Sequence, residues 1–254
     1  MDKVCEVSCL IPFYNEGERL FSVLETVTQV EDIAKIVCID DGSEDDNYRI
    51  IQERWPQISV VRQENQGKTG AIKRGLAEVD SEYVLMMDAD LQNIQLDELQ
   101  RIVAAVRQGC DADMVIFRRL YAEWFVKMNR GDVLLSGERI IRREDLTEIL
   151  KEPVEGFQLE VAINEYMQQH RKRVRWVPWS ATNTYKMDKR GPLEGFWKDF
   201  QMYADILLYV GLKSYFRQVA TFARKPLRLR SRQPFYKRFR NAYQTSSTGR
   251  TVTG

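Results

Sequence analysis

The chain carries a single histidine, four cysteines with no Cys-x-x-Cys pair, and no apolar run near the length of a membrane span. Each scarcity removes a class of chemistry. His170 stands alone among Gln and Arg residues, so histidine-built zinc sites and Ser-His nucleophilic catalysis are disfavoured. Cys5, Cys9, Cys38 and Cys110 lack metal-ligand spacing, and three of them fall within strand-like apolar stretches, as expected of free thiols in a reducing compartment. The longest late apolar run, residues 206–212, is far shorter than the roughly 20 residues that a spanning helix needs. Met1-Asp2-Lys3 leads into a strand pattern without a small-residue cleavage site, so no signal peptide is expected and the cytoplasm is the simplest location. A P-loop is missing too: Gly67-Lys68-Thr69 hints at one, but Arg62 and Gln63 stand where its opening glycine belongs. Acid is absent from the last fifth of the chain. Eleven Lys and Arg residues follow Asp205 with no Asp or Glu among them, which leaves 27 of the 38 bases against all 37 acids in the preceding body. Such asymmetry sends the tail to an anionic surface or back onto the acidic body.

What is present is a series of apolar strands, each running into a polar turn. Val7-Ser8-Cys9-Leu10-Ile11-Pro12-Phe13 reads as a buried strand, followed by Tyr14-Asn15-Glu16-Gly17 and a helix to about residue 29. Ile36-Val37-Cys38-Ile39 runs into Asp40-Asp41-Gly42-Ser43 and a helix over about 45–55. A third strand, 58–62, precedes Asn65-Gln66-Gly67-Lys68-Thr69-Gly70-Ala71 and a helix reaching about residue 79. The fourth, Tyr83-Val84-Leu85-Met86-Met87, meets Asp88-Ala89-Asp90-Leu91-Gln92. Strands alternating with helices predict an α/β fold, a mostly parallel sheet with its ligand at the carboxyl ends. Asp88 and Asp90 suit a divalent metal that carries a diphosphate. Mg²⁺ and Mn²⁺ are hard cations that take oxygen ligands, and Mg²⁺ typically binds one or two carboxylates plus phosphate oxygens. In an extended Asp-X-Asp the side chains alternate, so one meets the metal and the other its water shell or the sugar of the nucleotide, while Gln92 adds a neutral oxygen. Taken alone, the pair fits an ordinary solvated strand end equally well. A nucleotidyltransferase would share the metal carboxylates but carry a Gly-rich, Lys-containing loop after the first strand, where this chain has Phe13-Tyr14-Asn15-Glu16.

In order and spacing, Pro12-Phe13-Tyr14-Asn15-Glu16, Asp40-Asp41-Gly42-Ser43, residues 65–71 and Asp88-Ala89-Asp90-Leu91-Gln92 resemble the nucleotide-sugar signature of family 2 glycosyltransferases with the GT-A fold. Within that family, Asp-Ala-Asp-Leu-Gln is most similar to the dolichyl- or polyprenyl-phosphate sugar synthases. The likeness continues through Asp113-Met114-Val115-Ile116, residues 136–143 and residues 155–160, so it covers about 4–180. The resemblance implies a metal-dependent inverting transferase using a UDP- or GDP-linked sugar with Mg²⁺ or Mn²⁺. It places Pro12, Tyr14, Glu16, Asp41, Lys68, Asp88 and Ala89 around the nucleotide, and Asp88, Asp90 and Gln92 at the metal. For catalysis it points to Asp90, to Arg119 at an acceptor phosphate, and to Glu160, then Glu155, as base for an acceptor hydroxyl. One departure stands out. The branch carries Gly-Ser-Arg and a long segment after the sixth strand, whereas here Ile116-Phe117-Arg118-Arg119 is followed by only sixteen residues before Ser136. Transfer to a soluble hydroxyl acceptor, or a nucleotide-sugar-binding module without activity, are the competing readings. Arg130, Arg139, Arg142 and Arg143 are further candidates for a diphosphate or acceptor phosphate.

These readings divide the chain into a GT-A catalytic domain at 1–190, an amphipathic helical and basic C-terminal extension at 191–242, and a Ser-, Thr- and Gly-rich disordered tail at 243–254. Phe200, Tyr203, Leu207, Leu212, Tyr215, Val219 and Phe222 recur at helical spacing, for packing on the catalytic domain, on a second subunit as a homo-oligomer, or on a membrane interface. Leu227-Arg228-Leu229-Arg230 and the later aromatics suit a lipid headgroup or other polyanion; no nucleic-acid partner is expected.

Overall fold

The structure is a computed structural model that describes residues 4–121, 126–127, 130–152, 158–183 and 211–229. Four βα units open the chain in the predicted order: β1 (Val7–Phe13), α1 (Glu18–Val27), β2 (Lys35–Asp40), α2 (Asn47–Arg54), β3 (Ser59–Arg62), α3 (Gly67–Leu76) and β4 (Tyr83–Met86), then a short β5 (Leu91–Gln92) and α4 (Leu96–Arg107). The second half holds β6 (Met114–Arg119), α5 (Gly131–Leu134), β7 (Arg139–Arg142), α6 (Arg143–Ile149), α7 (Gln158–Gln169), β8 (Val174–Trp179), β9 (Thr182–Asn183), α8 (Leu212–Thr221) and β10 (Lys225–Pro226).

Eight strands form one sheet in the order β10-β8-β6-β7-β4-β1-β2-β3, and β5 pairs with β9 in a separate ribbon. Every pairing in the large sheet is parallel except those of β7, which runs antiparallel to both β4 and β6. Successive side chains of a strand face opposite ways, and here both faces are covered. Cys9, Ile11 and Phe13 of β1 and Leu85 of β4 pack with Leu20 and Leu24 of α1 and Leu99 and Ile102 of α4. Leu10, Val84 and Met86 pack on the other side with Ile72 of α3, Leu146 of α6 and Ile163 of α7. The near-continuous apolar runs of the sequence follow from this double burial.

Register explains where the polar turns gather. Phe13 lies beside Asp40, Asp40 beside Arg62 and Leu10 beside Met86, so the turns after β1 to β4 share the carboxyl edge. Because β7 is reversed and Arg139 pairs with Met86 and Ile116, the residues entering β7 reach that same edge. The sequence reading assigned no direction to this strand.

For the region 191–242, packing on the catalytic domain was one of the three readings. Residues 211–229 rejoin the main body: α8 packs on α7 through Gln218, Arg217 and Ser214 against Glu165, and β10 pairs with β8. Leu227 and Leu229 pack against the core, while Arg228 between them is exposed. The rest of that region, the 243–254 tail and Glu155 lie outside the described residues. Among the described residues, no helix is long and apolar enough to cross a membrane.

Candidate functional site

The first wall of the site is a cradle laced from the turns after β1, β2 and β3. Asn15, in left-handed backbone at φ 53°, donates its N–H to Ser43 Oγ (3.0 Å) and accepts from the Glu44 N–H (2.8 Å). Buried Asp40 accepts the Ser43 N–H at 2.8 Å and lies 3.2 Å from Arg62 Nε. Neighbouring Asp41, also buried, accepts from Gln63 Nε2 (2.7 Å) and the Gln66 N–H (2.9 Å) on one carboxylate oxygen. Gly42 makes this packing possible: at φ +83°, a Cβ there would come within 3.0 Å of the Asn65 nitrogen. Of the residues expected around a nucleotide, Tyr14 is 45% exposed at the rim, Pro12 ends β1 against Ile39, and Glu16 pairs with Arg19 at 3.0 Å. The cradle thus brings Pro12, Tyr14, Glu16 and Asp41 to one edge. The Asn15, Ser43, Gln63 and Gln66 links were not foreseen, and nothing in residue type alone signalled them.

The second wall is a cluster of charges. Lys68, in the first turn of α3, places Nζ 2.7 Å from Asp88 Oδ1 and 3.1 Å from Glu160 Oε1. Burial disfavours charge on Lys68, but Asp88 and Glu160 outweigh it and hold the ammonium well above its ordinary pKa. Burial likewise opposes charge on Asp88, and Lys68, Arg119 and a hydrogen bond with Glu138 overcome it, so its carboxyl stays below the usual range. Glu138 is fully buried; burial first and the Asp88 charge second push its carboxyl up to about 7. One of its oxygens accepts from Ser136 Oγ at 3.1 Å. Between Glu138 and Asp88 passes Gly137, where a Cβ would lie 2.6 Å from Asp88 Oδ2 and 2.9 Å from Lys68 Nζ. Sequence reasoning missed Gly137 and Glu138 as site residues. The available signal was a glycine and an acid entering an apolar strand, Ser136-Gly137-Glu138-Arg139-Ile140-Ile141.

Asp88 and Asp90 do not sit on an extended strand as expected. β4 ends at Met86, and the pair occupies the turn before β5, so alternation does not set their directions. Both are partly exposed, and Gln92, exposed in β5, pairs in register with Thr182 of β9. Among the described residues no group of three or more His, Cys, Asp or Glu stands ready to hold a metal unaided. The three donors are nevertheless all hard oxygens, and two carboxylates and an amide suit Mg²⁺ or Mn²⁺ whose remaining positions are filled by phosphate.

The arginines separate sharply. Arg119, last in β6, donates to the Leu135 carbonyl at 3.0 Å, while its Nε is buried without a hydrogen-bond partner at the carboxyl edge. Arg139 is fully enclosed and unable to meet a ligand: burial pushes it down to about 10, and its guanidinium binds the Ser136 carbonyl and Asn164 Oδ1 (3.1 Å). Arg130 donates to the Val219, Phe222 and Ala223 carbonyls at the end of α8. Arg142 pairs with Glu82 and Asp113 beside Tyr83, at the amino end of β4, and Arg143 follows it there. None of these three arrangements leaves a donor for a diphosphate, because each guanidinium is spent on the frame or lies at the opposite edge.

A mostly parallel sheet with one reversed strand, its carboxyl edge lined by a polar cradle and an Asp-Ala-Asp turn, defines the GT-A fold. Solved structures share it. Glucosyl-3-phosphoglycerate synthase from Mycobacterium tuberculosis, in complex with Mn²⁺, UDP and phosphoglyceric acid, covers 80% of this chain and 78% of its own at 21% identity and TM-score 0.63. A complex of that enzyme with Mg²⁺ and UDP covers 76% and 74%, at 21% identity and TM-score 0.58. The chain belongs to Glycosyl transferase family 2, whose model matches residues 8–184. Among curated relatives, undecaprenyl-phosphate 4-deoxy-4-formamido-L-arabinose transferases are 33% identical over 135 residues (Proteus mirabilis) and 32% over 136 (Serratia proteamaculans). Each match takes in 50% of this chain and 41% of the relative, so the shared part is about two-fifths of those proteins.

Proposed function

We propose that the chain is a metal-dependent, inverting hexosyltransferase that moves a sugar from a UDP- or GDP-linked donor to a polyprenyl phosphate at a membrane surface. The observation that carries this reading is the meeting of Lys68, Asp88 and Glu160 beside the Asp90 turn, where a cation and a diphosphate would share one set of charges. Pro12, Tyr14, Glu16, Asp41 and Ala89 line the base and ribose, and Lys68 meets the diphosphate. Asp88, Asp90 and Gln92 would hold a divalent cation, whose charge would stabilise the leaving diphosphate. The acceptor oxygen attacks the anomeric carbon from the face opposite that diphosphate, and the bond between sugar and diphosphate breaks as the new one forms.

The charge arrangement favours a phosphate acceptor. Glu160 is already engaged by Lys68 and fits a counter-ion better than a free base, whereas Arg119 Nε lacks a partner and can donate to an acceptor phosphate. A phosphate is anionic and needs no base. The undecaprenyl-phosphate transferases named above act on such an acceptor by their names. The second reading, transfer to a soluble hydroxyl with Glu160 as base, draws on the sixteen residues between Arg119 and Ser136, where the lipid-phosphate branch has a longer segment. Asp90→Ala tests the whole scheme: it should abolish Mn²⁺- or Mg²⁺-dependent donor turnover while circular dichroism and melting temperature stay those of the parent. Full activity in that variant, or turnover unaffected by EDTA, overturns the assignment.

A further inference from the structure

Helix α8 carries a surface that the site chemistry does not use. Its inner side is tied to α7: Glu165 accepts from Ser214 Oγ, from Gln218 Nε2 at 3.1 Å and from Arg217 at 2.7 Å, and Gln168 donates to Thr221 Oγ1 at 2.7 Å. Arg130 closes the far end by binding the last carbonyls. With the helix fixed, its outward composition is fixed as well. Lys213, Phe216 and Ala220 fall three or four residues apart on one stripe, and all are exposed. Phe216 keeps 64% of its surface open, more than any other large apolar side chain among the described residues. Past the end of the helix Arg224, Lys225 and Arg228 are exposed as well, and residues 211–229 contain five bases and no acid.

An apolar tip with exposed cations before and after it along the chain matches the boundary between anionic headgroups and acyl chains, where the ring enters the lipid and the bases meet phosphate. A polyanion without an apolar layer gives Phe216 nothing to do. We propose that the outer face of α8, together with the exposed bases that follow it as far as Arg228, docks the chain on an anionic phospholipid surface. The inference rests on the lipid-phosphate reading for its purpose, while its observations concern residues 211–229 alone.

Sedimentation of the full chain with vesicles tests it. The parent should bind phosphatidylcholine vesicles containing phosphatidylglycerol, not pure phosphatidylcholine, and should be released by high salt. Lys213→Ala and Lys225→Ala should each lower partitioning about five-fold. Phe216→Ser should lower it further, and Phe216→Leu, which keeps an apolar tip, should retain it. A parent that ignores phosphatidylglycerol overturns the proposal, as does a variant combining Lys213→Ala, Phe216→Ser and Lys225→Ala that binds like the parent with an unchanged melting temperature, since the contact then lies elsewhere. Asp90→Ala should bind vesicles like the parent, so a failed donor site and a failed docking face give different results.

Discussion

At the residue scale, Gly137 shows how little room the charged cluster leaves. Gly137→Ala would set a methyl group 2.6 Å from Asp88 Oδ2 and 2.9 Å from Lys68 Nζ, so one of these must move. Overpacking of this kind costs about 1–3 kcal/mol, and here the displaced groups belong to the proposed diphosphate site. Calorimetric titration with UDP or GDP should therefore show a larger loss in nucleotide affinity than the modest fall in melting temperature suggests. Glu160 and Arg119 separate the two acceptor classes. Arg119→Ala should raise the KM for a lipid-phosphate acceptor by about ten- to a hundred-fold, the worth of a charge-assisted hydrogen bond, with little change in donor affinity. Glu160→Gln should leave kcat within a few-fold if the acceptor is a phosphate. A drop of about 10² to 10⁴ in kcat would instead identify Glu160 as a base acting on a hydroxyl.

Elements differ in how much of themselves they wrote into the sequence. β1, β2 and β4 were legible because both faces are buried, and all four apolar runs, that of the half-buried edge strand β3 included, give way to polar turns after Phe13, at Asp40, at Arg62 and at Asp88. Those ends also made the cradle and the Asp-Ala-Asp turn visible, and Lys68 and Glu160 were singled out from the resemblance. β7 was not legible as a reversed strand, since Ile140 and Ile141 read the same in either direction and only pairing with Met114 and Val84 orients them. Nor does local sequence tell that Arg139 is a buried brace while Arg119 keeps a buried Nε without a partner; that distinction is tertiary. The amino ends of β4, β6 and β8 and the carboxyl end of the reversed β7 are bound by a network in which Asp113 meets Arg142 at 3.1 Å and Arg173 at 3.2 Å, and Arg142 meets Glu82 at 2.6 Å. Burial works against charge on Asp113, yet hydrogen bonds from Arg173 and Arg142 hold its carboxyl down to about 2. A carboxyl depressed on folding stabilises above its unfolded pKa of about 3.9, and that contribution fades as pH falls toward 2. Asp113→Asn should thus lower stability by about 1–3 kcal/mol at pH 7, and the gap in denaturation midpoints should close as the pH approaches 2.

On the scale of the whole molecule, the sheet of the described residues ends in β3 on one margin and in a very short β10 on the other. β10 is only Lys225–Pro226, laid beside Arg175 and Trp176 of β8. Proline offers no N–H to a further strand, and the lysine would have to shed water to let one approach. Those two residues therefore act as a stop against self-association, covering a strand, Val174–Trp179, that carries two tryptophans. A chain cut before Lys225 would keep the cradle and the Asp-Ala-Asp turn but expose the ladder of β8. Light scattering on that truncation should reveal concentration-dependent aggregation absent from the parent, even where nucleotide still binds.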